Sequence, residues 1–167
     1  MVRPAPTKRP LDSFDRAFLR IVQRNNKTPQ REIAEAVNLS PAAVQRRIAS
    51  MEATGVIQSN VAIVDVNAVQ MGITAIVEVQ LTDQRIQTVD AAKSLFAKAA
   101  EVQHCYYVTG GTSFVLVIVS PDMTAYEATT RRLFARNDVV ASFRSLIALD
   151  RVKTGCEVII PDPYLAE

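Results

Sequence analysis

The residues best suited to chemistry are the run Gln45-Arg46-Arg47, set among alanines at 42, 43, 49 and 53. An arginine fork bonds guanine bidentately and a glutamine amide does the same with adenine, each pair discriminating by about 1–3 kcal/mol. Small neighbours let such side chains approach a groove floor. The helical period decides which of them are available. Val44, Ile48 and Met51 share one side, so at about 100° per residue Ala42, Arg46, Ala49 and Ala53 lie opposite, with Gln45 and Ala43 flanking. Arg47 emerges beside the apolar stripe. We therefore expect Gln45 and Arg46 to contact bases. Arg47, Ser40, Arg31 and Lys27 are expected at phosphates, because helix starts and basic side chains around a turn meet the nucleic-acid backbone. A merely solvated helix face has the same composition, so the assignment depends on the elements that carry it.

Those elements are three helices. Leu11 precedes Asp12 and Ser13 as candidate caps, and Phe14, Phe18, Ile21 and Val22 recur at helical spacing. A second helix is expected from Thr28-Pro29, capped by the threonine, burying Ile33, Ala34 and Val37 and ending at Asn38. Asn38-Leu39-Ser40 then forms a three-residue turn. Ser40-Pro41 repeats the cap-plus-proline signal and opens a third helix to about Thr54, with Gly55 as its terminator. Two short helices joined by such a turn, the second rich in Arg and Gln, match a helix-turn-helix.

Charge supports that placement. Residues 1–66 hold ten Lys/Arg against six Asp/Glu, and the remainder nine against eleven. The basic, proline-rich start has no apolar signal core, and no apolar run approaches the roughly 20 residues of a membrane span. A cytoplasmic, nucleoid-associated chain is the expectation. Cys105 and Cys156 lack neighbours that could complete a metal site, so both are expected as free, buried thiols, and neither metal nor cofactor is expected.

The second half alternates strands and helices. Ile73 to Leu81 reads as a half-buried strand, and a helix follows from about Arg85 to Ala99 with Val89, Ala92, Leu95, Phe96 and Ala99 inward. Gln103 to Thr109, a Gly110-Gly111 turn and the apolar run Phe114 to Val119 come next, the last expected to be buried on both faces. A helix from Met123 to Asn137 should bury Met123, Tyr126, Leu133 and Phe134, and a strand from Val139 to Arg151 completes a βαββαβ, ferredoxin-like order. Two helices cover one sheet face only. Ile76, Leu146 and Ala148 make the other face too apolar to stay wet, so a homodimer is expected, which would also present paired recognition helices to two half-sites on double-stranded DNA.

The division expected is a flexible basic arm (1–10), a helix-turn-helix domain with winged-helix character (11–55), an extended linker (56–72), a ferredoxin-like domain (73–152) and a tail (153–167). The class is α+β. In this order the chain resembles the Lrp/AsnC family of transcriptional regulators. The resemblance rests on Leu11-Asp12, Asp15-Arg16, Leu39-Ser40-Pro41, Val44, Arg46-Arg47-Ile48, Gly55-Val56-Ile57, Val108-Thr109-Gly110 and Pro121 to Tyr126. It implies a DNA-binding regulator whose dimers assemble further, often into octamers, with an amino acid or related small metabolite bound between subunits.

The family's turn after Val-Thr-Gly carries an aspartate before an aromatic, whereas Ser113 precedes Phe114 here. Phe143-Arg144-Ser145 likewise replaces an arginine flanked by threonines. Gly110, Gly111, Thr112 and Ser113 are the candidate effector site, since glycines expose backbone N–H groups and hydroxyls complete polar recognition; a plain strand turn would use the same residues. No catalytic residue is assigned, and His104, the single histidine, reads as structural. Two alternatives share the architecture: a sirohaem-decarboxylase-like enzyme, and a sequence-tolerant architectural DNA-binding protein.

Overall fold

The computed structural model describes residues 10–161, so the expected basic arm lies, except for Pro10, outside the described residues. The chain divides into two compact units, Met1–Ala62 with Thr154–Glu167, and Ile63–Lys153. Among the described residues, 154–161 thus group with the N-terminal helices, although the sequence set them apart as a tail.

In the first unit, α1 spans Ser13–Val22, α2 Gln30–Ala36 and α3 Pro41–Ala53. A reciprocal capping box starts α1: Asp15 N donates to Asp12 Oδ1 at 2.8 Å, and Asp12 N donates to Asp15 Oδ2 at 3.1 Å. The Ser40 hydroxyl accepts from Ala43 N at 3.2 Å and Pro41 fills the first turn of α3, as the spacing predicts. Thr28 does otherwise. Its hydroxyl donates to Asn25 O at 2.8 Å, closing the preceding loop, and leaves Pro29 as a cap with no side-chain bond. Gly55 ends α3 at φ +72°, a conformation that costs glycine nothing, and its N–H closes on Glu52 O. Phe18, Ile33, Ala34, Val37, Val44 and Met51 form the core. Among the described residues no strand follows α3 in this unit, and Val61 is exposed.

The second unit runs β1 (Ile73–Leu81), α4 (Ile86–Lys98), β2 (Val102–Tyr107), β3 (Phe114–Ser120), α5 (Met123–Thr130) and β4 (Val140–Ile147). All neighbours pair antiparallel in the order β2-β3-β1-β4, the ferredoxin-like arrangement. Ala75, Val77, Val79, Leu81, Phe114, Leu116 and Ile118 face the helices, where Val89, Ala92, Phe96, Leu133 and Phe134 meet them. The Phe96 ring stands edge-on to Phe114 and Phe134, with centroids 5.3 and 5.9 Å away. Such edge contacts add to the area term.

Three expectations are corrected here. The helix from Met123 does not stay regular to Asn137, because Arg131–Ala135 winds as a π-helical turn. Met123 is 52% exposed, since helical side chains lean toward the N-terminus and the first one overhangs the helix start. The last strand stops at Ile147 rather than Arg151: Ala148 N still reaches Thr74 O, but Leu149 is fully exposed.

On the face away from the helices, Ile76, Val115, Val117 and Val119 are half-buried, and Tyr106 and Leu146 are exposed. β3 therefore alternates buried and half-buried positions within one chain instead of being covered on both sides. The pair Ile76↔Val117 and the pair Ile76↔Leu146 put three apolar side chains in one row across this face.

Candidate nucleic-acid interface and ligand turn

Helix α3 turns Val44 and Met51 into the core and leaves Ala42, Gln45, Arg46 and Ala49 exposed, as its period requires. Among the described residues neither the Gln45 nor the Arg46 side chain is held by an ion pair or hydrogen bond, and both residues are exposed. Arg47, one residue on, has a different fate. Its NH1 donates to Asp15 Oδ1 at 2.6 Å and to Asp12 Oδ2 at 2.7 Å, and its guanidinium sits 5.6 Å from the Phe14 ring centroid. The Asp12 hydrogen bond leads the effects that push the Arg47 pKa up, with Asp15 adding to it against the cost of burial. The group stays charged throughout.

Arg47 thus has an internal role beside the phosphate contact expected of it. Asp15 is fully buried, and Arg47 NH1 is one of the donors that meet its carboxylate there. A sequence signal for this existed. Leu11, Asp15, Phe18 and Val22 follow a 4-3-4 spacing, which sets an acid into an apolar stripe and demands a cation opposite it.

The other expected phosphate ligands are peripheral. Lys27 is exposed on the loop before α2. Arg31 pairs with Glu35 at 3.1 Å, but the side chains are 87% and 67% exposed, so a phosphate could take over the guanidinium at little cost. Ser40 spends its oxygen on the α3 cap and keeps its O–H to donate.

The expected ligand turn separates into two parts. Gly110, at φ +116°, and Gly111 are exposed, and a Cβ on either would meet nothing within 4 Å. Thr112 and Ser113 point inward. The Thr112 hydroxyl donates to Val79 O at 3.0 Å, while Ser113 Oγ accepts from Leu81 N at 3.2 Å and from Gln84 Nε2 at 3.0 Å. Ser113 is 2% exposed. Both hydroxyls brace the turn against β1, so only the glycines of the four expected residues are open. Gln84 Oε1 accepts from the Tyr107 hydroxyl at 3.2 Å, and Lys93 Nζ lies 5.0 Å from that ring, neither of which the sequence singled out. His104 stacks on Tyr106. Cys105 is half-buried with its thiol pKa raised by burial, whereas Cys156, expected to be buried, is exposed because its segment is held through the main chain.

The chain matches the model of the AsnC-type helix-turn-helix domain over residues 11–52 and that of the Lrp/AsnC ligand binding domain over residues 74–158. It is 42% identical over 150 residues to an HTH-type transcriptional regulator of Sinorhizobium fredii, covering 90% of this chain and 89% of that one. Among solved structures it is similar to an AsnC family transcriptional regulator from Agrobacterium tumefaciens, at TM-score 0.83 and 29% identity, over 89% of this chain and 97% of that one. It is also similar to the feast or famine regulatory protein of M. tuberculosis complexed with L-methionine, at TM-score 0.81 and 29% identity, over 91% and 100% of the two chains. No helix among the described residues is long and apolar enough to cross a membrane.

The Arg47 geometry makes a sharp prediction. Arg47→Ala removes a cation held 2.6 Å from the buried Asp15 Oδ1 and should cost about 3 kcal/mol of stability, read from urea unfolding. A variant as stable as the parent that binds every DNA sequence less tightly would restore Arg47 to the phosphates.

Proposed function

The chain belongs to the Lrp/AsnC family of transcriptional regulators, and from that premise we propose that it reads specific double-stranded DNA through Gln45 and Arg46, as a dimer or larger assembly tuned by a small metabolite. The observation that carries this reading is the contrast within α3: Arg47 is consumed internally, while Arg46 and Gln45 stand exposed among alanines. Lys27, Arg31 and the Ser40 hydroxyl are the proposed phosphate contacts, and they surround the turn that leads into α3. No catalytic role is assigned to any residue. His104 is engaged in a ring stack on the sheet rather than lining a cleft.

The apolar row of half-buried Ile76 and Val117 with exposed Leu146 supports association through the open sheet face, since an apolar patch of this kind is a common interaction surface. A two-fold pairing there would present two α3 helices, and DNA half-sites about one helical turn apart suit such a dimer. For the effector we propose an amino acid or related metabolite at the Gly110-Gly111 turn. The M. tuberculosis relative holds L-methionine, and this turn offers open main chain to a ligand carboxylate.

Three measurements test the reading. Binding sites would first be mapped in the native genome. Arg46→Ala should then lose about 1–3 kcal/mol of preference for the selected duplex over mixed-sequence duplex while keeping its stability; undiminished preference would remove Arg46 from the base contacts. Wild type should sediment as a dimer or larger at micromolar concentration, and Val117→Asp should yield folded monomers. A monomeric wild type would end the sheet-face proposal.

The effector proposal is tested by thermal shift with L-methionine and a panel of amino and organic acids. A ligand at about 100 times its Kd adds about 2.7 kcal/mol of stability. Because a Cβ at position 111 meets no neighbour, Gly111→Asp should fold normally and weaken any ligand that sets a carboxylate against the turn. Equal stabilisation of both proteins would place the site elsewhere.

A further inference from the structure

One side of α1 and of the turn that closes it is occupied by the far end of the chain. Arg16, Arg20, Gln23 and Arg24 fall at i, i+4, i+7 and i+8, hence on one face. Residues 157–161 run along that face in the opposite direction. Arg24 Nε meets Glu157 Oε1 at 3.0 Å. Gln23 Nε2 donates to Val158 O at 2.9 Å, and Val158 N donates back to Gln23 Oε1 at 3.2 Å. Arg20 donates to Ile160 O through Nε at 3.2 Å and NH2 at 2.9 Å, and Arg16 NH1 donates to Pro161 O at 3.1 Å.

Apart from the Arg24–Glu157 ion pair, the helix reads the main chain of this segment rather than its side chains. Val158 is 64% exposed and Ile159 94%, with Ile160 half-buried, so the apolar side chains of the segment stay largely outside. What is recognised is an extended backbone with carbonyls spaced to match a row of guanidinium and amide donors. Polar contacts at the surface exchange readily with water, so the contact is of a kind that can form and release. Its position in the chain matters as much. The polypeptide leaves this unit after Ala62 and returns to it at Thr154, with Ile63–Lys153 forming the other unit between those points. The helix that receives it also carries Asp12 and Asp15, the carboxylates that hold Arg47 of α3.

We infer that residues 157–161 are a latch on the DNA-reading unit: docked on α1, they hold that helix and, through the Asp12 and Asp15 grip on Arg47, keep α3 in its reading position. The inference rests on the DNA-reading proposal for its functional half. Its structural half stands independently.

The test uses the full-length protein beside an Arg20→Ala/Gln23→Ala variant and a variant lacking residues 154–167. Amide hydrogen exchange is followed at Val158, α1 and α3, and affinity is measured for a genomically selected duplex and for mixed-sequence duplex. In wild type the Val158 amide should exchange about 10-fold more slowly than an open chain, reflecting a closed local equilibrium. In both variants the α1 and α3 amides should exchange faster. Affinity should fall about 5-fold on both duplexes with the preference between them kept, because Gln45 and Arg46 are intact. An unprotected Val158 in wild type, unchanged exchange in α3, or equal or tighter DNA binding by the variants would each overturn the latch. Should wild type prefer no genomic duplex, the DNA-reading proposal fails, and α3 exchange still decides whether the latch holds the helix.

Discussion

The Arg47 guanidinium, gripped by Asp12 and Asp15, is the constraint around which the N-terminal unit is arranged. Asp15 serves two masters: it closes the α1 capping box on Asp12 N and accepts the Arg47 hydrogen bond, all at 0% exposure. Removing a carboxylate from water is unfavourable unless its lone pairs are met, and here a backbone donor and a cation meet them. The same guanidinium joins the start of one helix to the middle of another, so the angle of α3 to α1 is set by a polar contact as well as by Phe18, Val44 and Met51. The exposure of Arg46 follows from the helical period, which sets it opposite Val44, Ile48 and Met51.

The other unit is organised by an asymmetry between the two faces of its sheet. One face is closed by the phenyl rings of Phe96, Phe114 and Phe134 with the aliphatic side chains around them. The opposite face mixes the Ile76, Val117 and Leu146 row with the Glu78–Arg144 pair, whose hydrogen bond holds the Glu78 carboxyl below its ordinary pKa. An apolar centre beside a satisfied ion pair is compatible with burial against another surface, since the charges arrive already partnered.

Much of this was legible because it depends on period and punctuation. Ser40-Pro41, Gly55, the alternation of β1 and the spacing of Val89, Ala92 and Phe96 each act locally, and the structure follows them. What the sequence does not show depends on partners far along the chain. Arg47 looked like a surface cation because Asp15 lies 32 positions away, and the docking of residues 157–161 on α1 spans more than 130 positions. Thr28 went to a nearby carbonyl instead of the helix start, a competition between two local bonds that composition does not decide. The π-helical turn at Arg131–Ala135 has no sequence marker we can name.

Position 113 shows how a correct comparison of residues can still mislead about chemistry. A serine where the family carries an aspartate removes a carboxylate from the turn, which on sequence alone reads as a pocket that favours neutral or anionic ligand groups over an ammonium. Yet Ser113 is buried and its oxygen is filled by Leu81 N and Gln84 Nε2, so the side chain at this position faces β1 rather than the open side of the turn. In this chain the residue type at 113 governs how firmly the turn is anchored. Selection among ligands would then fall to what the turn leaves open, the Gly110 and Gly111 main chain, and to the Tyr107 ring with its nearby Lys93 ammonium. For the proposed effector site, open glycine main chain and an ammonium near the Tyr107 ring would complement an anionic group.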